Sequence, residues 1–282
     1  MPLKVTDIHV HIQPWEQLLP AVRERMKRGR EDLARVERFN ADPGAFLAHL
    51  DEIGVARAGL INYVAPDVMG FTAEANDFCA RYAAHAPERL IPFGSVHPRY
   101  VRDAAAEMDR LRGIGIRGIK IHPSHQLLYP NEYRHGRNRA LETVYRECSD
   151  HRIPVMIHTG TSIFPAARNV YADPIHTDDV GVDFPDLVVI LAHGGRPLWM
   201  ETAFFLLRRF KNFYMDVSGI PPGQLLRYFP RLEEIAEKTL WGTDYPAPMV
   251  RDMKANLDAF LALPISDKAK AAILHENSAR LF

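Results

Sequence analysis

A closed eight-stranded α/β barrel, the (β/α)8 or TIM-barrel class, is the fold this sequence predicts. Three observations carry it. Eight short apolar runs rich in β-formers recur along the chain, each followed by a stretch with helical periodicity. Strict alternation of this kind implies parallel strands joined by right-handed crossovers, and eight units is the number that closes a barrel. The length, 282 residues, suits one such barrel. An open doubly wound sheet is the structural rival, but no GxGxxG follows the first run, so dinucleotide binding has little support.

The runs are LKVTDIHVHI (3–12), ARAGLINYV (56–64), LIPFGSVH (90–97), IRGIKIH (116–122), IPVMIHT (153–159), LVVILAH (187–193), FYMDVS (213–218) and TLWGTDY (239–245). Helical periodicity follows over 42–54, 72–85, 102–115 and 196–211. No composition shift or linker divides the chain, so 1–282 reads as a single domain. Two connections are longer than a barrel needs. One is an insert at about 12–42 after the first strand, and the other is SHQLLYPNEYRHGRNR (124–139) after the fourth. Loops of this length cover active sites or build interfaces, so the insert reads as a lid or as the contact of a homodimer.

Composition excludes several classes. Lys plus Arg equals Asp plus Glu at 35 each, which leaves no global field to recruit nucleic acid or an anionic membrane. The most basic stretch, RERMKRGREDLAR (23–35), interleaves acids and reads as a solvated helix. Cys79 and Cys148 have no CxxC partner, which argues against a zinc ribbon or disulfide framework and fits a reducing compartment. No apolar run is long enough to span a bilayer and no signal-peptide pattern opens the chain, so a cytoplasmic setting is expected.

Chemistry in such a barrel sits at the C-terminal ends of the strands. Polar residues gather there: His9 and His11 late in the first run, then His97, His122, His158, His193, Asp216 and Asp244 at or near the ends of later ones. Period-two alternation puts Asp7, His9 and His11 on one face, with Ile8 and Val10 on the other. On the fourth strand it points Lys120 and His122 inward, and on the eighth it turns Asp244 inward while Trp241 and Thr243 face the helices. Neutral imidazoles with one carboxylate form a borderline-soft site that suits one divalent metal ion, Zn²⁺ first and Mn²⁺ or Fe²⁺ next. HxH alone is a weak signal. Together with His158, His193 and Asp244 it is a strong one, although spacing does not separate ligand from catalyst.

The segments DIHVH, IKIHP, PVMIHTG, YADPIHTDDVGVDFPDLVVILAHGG, NFYMDVSGIPP and WGTDYP, with the closing HENSARLF, resemble the amidohydrolase-related TIM-barrel family. The likeness runs in order from residue 4 to 282, to the amidohydrolase 2 branch that includes aminocarboxymuconate semialdehyde decarboxylase. The resemblance implies that His9, His11, His158 and Asp244 hold one divalent metal, with His193 as the acid/base beside it. A metal so held lowers the pKa of its bound water to about 7 and supplies the nucleophile. Hydrolysis of a small ester, lactone or amide is the first expectation; non-oxidative decarboxylation (a carboxy-lyase activity) of a small unsaturated or aromatic acid is the alternative.

The remaining residues carry lesser expectations. His122, His97, His125 and Asp216 line the substrate pocket. Asp7 lies deeper and supports a ligand or a core ion pair. Lys120 reads as an inward structural lysine paired with an acid, a carbamate bridging two metals being the rarer alternative in the resemblance. Arg57, Arg134, Arg137 and Arg168 are candidates for a substrate carboxylate, and Tyr129, Tyr133 and Tyr171 for an aromatic wall.

Overall fold

The computed structural model describes residues 3–248 and 250–282. Eight parallel strands follow one another in chain order: β1 (Thr6–Val10), β2 (Arg57–Ile61), β3 (Leu90–Gly94), β4 (Gly118–Ile121), β5 (Val155–His158), β6 (Val189–Ala192), β7 (Phe213–Asp216) and β8 (Thr239–Leu240). Backbone bonds from Ile8 N to the Trp241 carbonyl, from Asp244 N to the His9 carbonyl and from His11 N to the Tyr245 carbonyl join the last strand to the first. The sheet is therefore a (β/α)8 barrel. Each strand lies within its predicted run and is shorter, the pairing ending before the last residues of the run turn away from the sheet.

Alternation sorts the side chains strictly on β5 and β6. Met156, Ile190 and Ala192 fill the bore with Ile61, Ile91, Phe93 and Leu240, while Val155, Ile157, Val189 and Leu191 pack outward against the helices. Tyr214, Leu281 and Phe282 close the floor, and the Phe282 carbonyl accepts from Arg57 at 2.7 Å and Arg117 at 2.6 Å. Arg57 thus sits at the opposite end from the site. The helices over 42–54, 72–85 and 102–115 form at Pro43–Ile53, Glu74–Ala83 and Ala104–Gly113, and the fourth is confined to Met200–Arg209. Asp42 and Asp103 cap two of them by accepting from Gly44 N and Ala106 N.

Strand β1 departs from simple alternation. Its register against β2 shifts between Asp7 and Val10, so Ile8 joins the bore and only Val10 packs outward. The Asp7 carboxylate occupies the seam, accepting from His9 N, Thr243 N and the Thr243 hydroxyl. Thr243 accordingly turns to this seam rather than to the helices. Among the described residues Asp7 meets no cation, so it supports His9 through its backbone amide and forms no ion pair there.

At Gly59 the packing admits no side chain, since a Cβ there would stand 2.3 Å from the Ile8 carbonyl oxygen. Gly59→Ala should therefore lower the unfolding free energy by about 1–3 kcal/mol through overpacking of β1 on β2. Denaturant titration would show this as a lower midpoint, and an unchanged midpoint would mean the two strands part freely.

The stretch 23–35 is not one solvated helix. Helices Pro20–Lys27 and Leu33–Ala41 flank a break at Gly29, whose φ is +65°. Arg30 turns inward from the break, pairing with Asp32 at 2.7 Å and donating to the carbonyls of Pro246 and Val250. Tyr245 donates to the same Asp32 at 2.7 Å. These contacts fasten the insert to the loop after β8. Among the described residues, no helix is long and apolar enough to cross a membrane.

Candidate metal centre

A cavity of about 330 Å³ opens at the C-terminal ends of the strands. His9, His11, His122, His125, His158, His193, Lys120 and Asp244 all line it. Two of the expected pocket residues do not. Strand β3 ends at Gly94, and the Gln126 amide then ties the Ser95 hydroxyl and the Val64 and Val96 carbonyls together. His97 is carried beyond this knot and packs on Tyr100, with ring centroids 4.5 Å apart. Asp216 lies behind the wall, fully buried, where it serves other residues instead of a substrate.

Ligand atoms of His9, His11 and Asp244 lie within 4.8 Å of one another, as do those of His9, His193 and Asp216. His158 belongs to neither group. Its ring stacks on His122 at 3.9 Å and stands edge-on to His193 at 4.8 Å.

Hydrogen bonds decide which nitrogen each imidazole shows the cavity. His9 Nδ1 donates to Asp216 Oδ2 at 2.8 Å, His11 Nδ1 to the Ile61 carbonyl at 3.0 Å, and His193 Nδ1 to the Ser218 carbonyl at 2.9 Å. Each therefore carries its hydrogen on Nδ1 and keeps a bare lone pair on Nε2. His158 is the reverse: Nε2 donates to the Gly160 carbonyl at 3.2 Å, and Nδ1 is buried without a partner. His9 Nε2 is likewise buried and unpartnered, 3.6 Å from Asp244 Oδ1. His11 Nε2 faces that same oxygen at 3.0 Å. Lone pairs facing a carboxylate across such gaps repel unless a cation lies among them. The residues present fit a divalent metal.

Electrostatics agree with this. Burial lowers the pKa of His9, and it holds those of His122, His158 and His193 well below the usual imidazole value, so they present the neutral form that binds metal. Burial pushes the Asp244 carboxyl up, but His11 beside it, with His9 and Arg196, outweighs that and leaves it lowered. At Asp216 burial is again opposed, chiefly by His9, and the carboxyl falls to about 2.

His193 and Asp244 also share a backbone feature. Their φ values are +66° and +68°, a region L-residues rarely adopt. Asp244 N bonds the His9 carbonyl at 2.8 Å and His193 N bonds Asp216 Oδ1 at 3.1 Å, which fixes these conformations. Strain held in this way marks functional positions.

Lys120 corrects its expectation. It points inward as the parity requires, but its Nζ is buried without a hydrogen-bond partner and forms no ion pair among the described residues. Burial lowers its pKa to about 8, against the pull of Asp216 and Asp244. The arginine that reaches the cavity is Arg196, 3.5 Å from Asp244 Oδ2, and not one of the four named candidates. Its place directly after AHGG puts it on the loop following β6, which is the signal that identifies it. Arg134 instead pairs with Asp179 at 2.8 Å. Tyr129 packs on Tyr171, and Tyr133 on Tyr145 and Phe184, so these rings form no cavity wall. Tyr63 and Phe164 do.

A barrel with histidines and an aspartate gathered at its C-terminal mouth is the architecture of a metal-dependent enzyme. The chain belongs to the amidohydrolase family, which it matches over residues 6–282, and is an enzyme of that metal-dependent family. Among solved structures it is similar to an uncharacterised TIM-barrel protein from Bordetella bronchiseptica. That pair is 26% identical, with 99% of this chain and 98% of that one covered and a TM-score of 0.78. A probable 2-pyrone-4,6-dicarboxylic acid hydrolase from Acinetobacter baumannii with citric acid bound shares the fold at 18% identity, 99% and 98% coverage and a TM-score of 0.68. So does a 5-carboxyvanillate decarboxylase from Novosphingobium aromaticivorans with bound manganese, at 18% identity, 99% and 97% coverage and a TM-score of 0.67. No curated protein matches the chain.

Proposed function

We propose that this enzyme hydrolyses a small organic ester, lactone or amide, using one divalent metal held by His9, His11, His158 and Asp244, with Zn²⁺ the preferred ion. The carrying observation is the commitment of the His9 and His11 Nδ1 hydrogens to Asp216 and Ile61, which turns their Nε2 lone pairs toward one cavity that Asp244 and His158, with its unpartnered Nδ1, also line. When bound, the metal supplies Lewis acidity and lowers the pKa of water.

The chain's own groups do the rest. Asp244 keeps a carboxylate oxygen, Oδ2, beside Arg196 and can accept a proton there. His193, neutral and with Nδ1 anchored on Ser218, can take a proton at Nε2 and return it to the leaving group. Ile163, Phe164 and Tyr228 give the cavity apolar flanks that limit water around the reacting bond. Cys79 and Cys148 are buried and unpaired, which supports a cytoplasmic setting.

Decarboxylation of a small unsaturated or aromatic acid is the competing reading. It draws on Lys120 and Arg196, two cations in the cavity that suit a carboxylate. Dialysis against a chelator should abolish turnover of an ester and lactone panel, with activity returning on adding Zn²⁺ or Mn²⁺. Full activity in metal-free protein would end the proposal, and CO₂ release from acids without ester or lactone cleavage would transfer it to the competing reaction.

A further inference from the structure

One wall of the cavity carries three polar side chains in a row. Tyr63 Oη and His125 Nδ1 are 3.1 Å apart, and His125 Nε2 and Ser162 Oγ are 2.7 Å apart. Tyr63 and His125 are almost wholly buried, at 4% and 2% exposure. Such groups keep their hydrogen bonds, so the direction of each bond can be assigned by accounting. Among the described residues, His125 Nδ1 is the one acceptor within reach of the Tyr63 hydroxyl. Tyr63 therefore donates to Nδ1, which places the imidazole hydrogen on Nε2, and Nε2 donates to Ser162 Oγ.

Ser162 Oγ also accepts from Phe164 N at 3.3 Å. Both of its lone pairs are then occupied. Its own hydrogen has no acceptor in the protein among the described residues, and Ser162 lines the cavity. The backbone around it is clamped, since Ser162 N donates to Asn169 Oδ1 at 2.7 Å and Asn169 Nδ2 returns a bond to the Ser162 carbonyl at 3.2 Å. Two further donors look into the same space without partners, Lys120 Nζ and Arg196 Nε.

We infer that the Tyr63→His125→Ser162 chain makes the Ser162 hydroxyl a fixed, donor-only contact that selects substrates turning an acceptor oxygen, carboxylate or carbonyl, toward this wall. The inference rests on the proposed use of the cavity as the substrate site. Ser162 is thereby a specificity residue, and Tyr63 and His125 are positioning residues that act through it. A ligand presenting only N–H or O–H hydrogens to this wall meets no acceptor on Ser162.

Two measurements on zinc-loaded protein test this without reading turnover, so failure of the hydrolysis assay leaves them intact. In long-range ¹H–¹⁵N spectra of the histidine side chains, His125 should show a bare Nδ1 and a protonated Nε2, and Tyr63→Phe should move the Nδ1 signal. Calorimetric titration with benzoate should show binding to the wild type and at least fivefold weaker binding to Ser162→Ala, with an unchanged melting temperature. A protonated His125 Nδ1 would mean that the serine hydrogen is spent on the imidazole, and would overturn the inference. So would equal benzoate affinity in the two proteins, or no binding to the wild type.

Discussion

His193→Ala should keep its metal and lose about 10²-fold or more in kcat, whereas His158→Ala should lose the metal itself. The two rings stand only 4.8 Å apart, so proximity does not distinguish them. Their bonding does. His193 is anchored through Nδ1 on Ser218 and held by its backbone on Asp216, which suits a group that must exchange a proton from a fixed position. His158 ends β5 with a buried, unpartnered nitrogen, the state of a ligand whose partner is the ion. Metal analysis beside steady-state rates on both variants checks the assignment. Equal metal loss would transfer His193 into the ligand set with His9, a grouping that its distance to His9 and Asp216 also permits.

The second large effect is expected at Asp216, which touches no substrate. One oxygen holds His9 Nδ1, and the other accepts from the amides of His193 and Ser218 and from the Ser218 hydroxyl. Asp216→Ala leaves His9 free to change tautomer and removes the bond that fixes the His193 backbone in its strained conformation. Loss of such an outer partner typically costs about 10–100-fold in metal affinity. Competition with a chromogenic chelator should read that loss, and kcat of fully loaded protein should fall as well because His193 is displaced. Wild-type metal affinity in this variant would show that His9 is oriented by its packing alone.

Much of the architecture was legible because a parallel barrel repeats one simple instruction. Apolar runs such as LVVILAH announce strands buried on both faces, and a histidine or aspartate at or near the end of seven of the eight marks the rim. Two kinds of information were absent from that pattern. One is local backbone geometry: the register shift in β1 sends Ile8 into the bore, and the chain after Gly94 carries His97 away from the cavity. Neither is written in a period of two. The other is pairing across the barrel. Parity predicts that Lys120 points inward, but whether an acid meets it depends on side chains from distant strands, and none among the described residues bonds to it. Asp216 is expected in the pocket from the resemblance and its place late in the seventh run, neither of which gives its depth behind the wall. Arg196 is the residue directly after AHGG, a position that puts it on the loop following β6.

The insert between the first two strands is attached by side chains, not by the sheet ladder. Arg30 and Asp32 grip Tyr245 and the carbonyls beyond it, and Met26 from the same insert reaches the cavity. The segment can be rewritten to accommodate a different guest without disturbing strand pairing, provided Trp15, Leu18, Val22, Val36 and Phe39 keep filling the core beneath it.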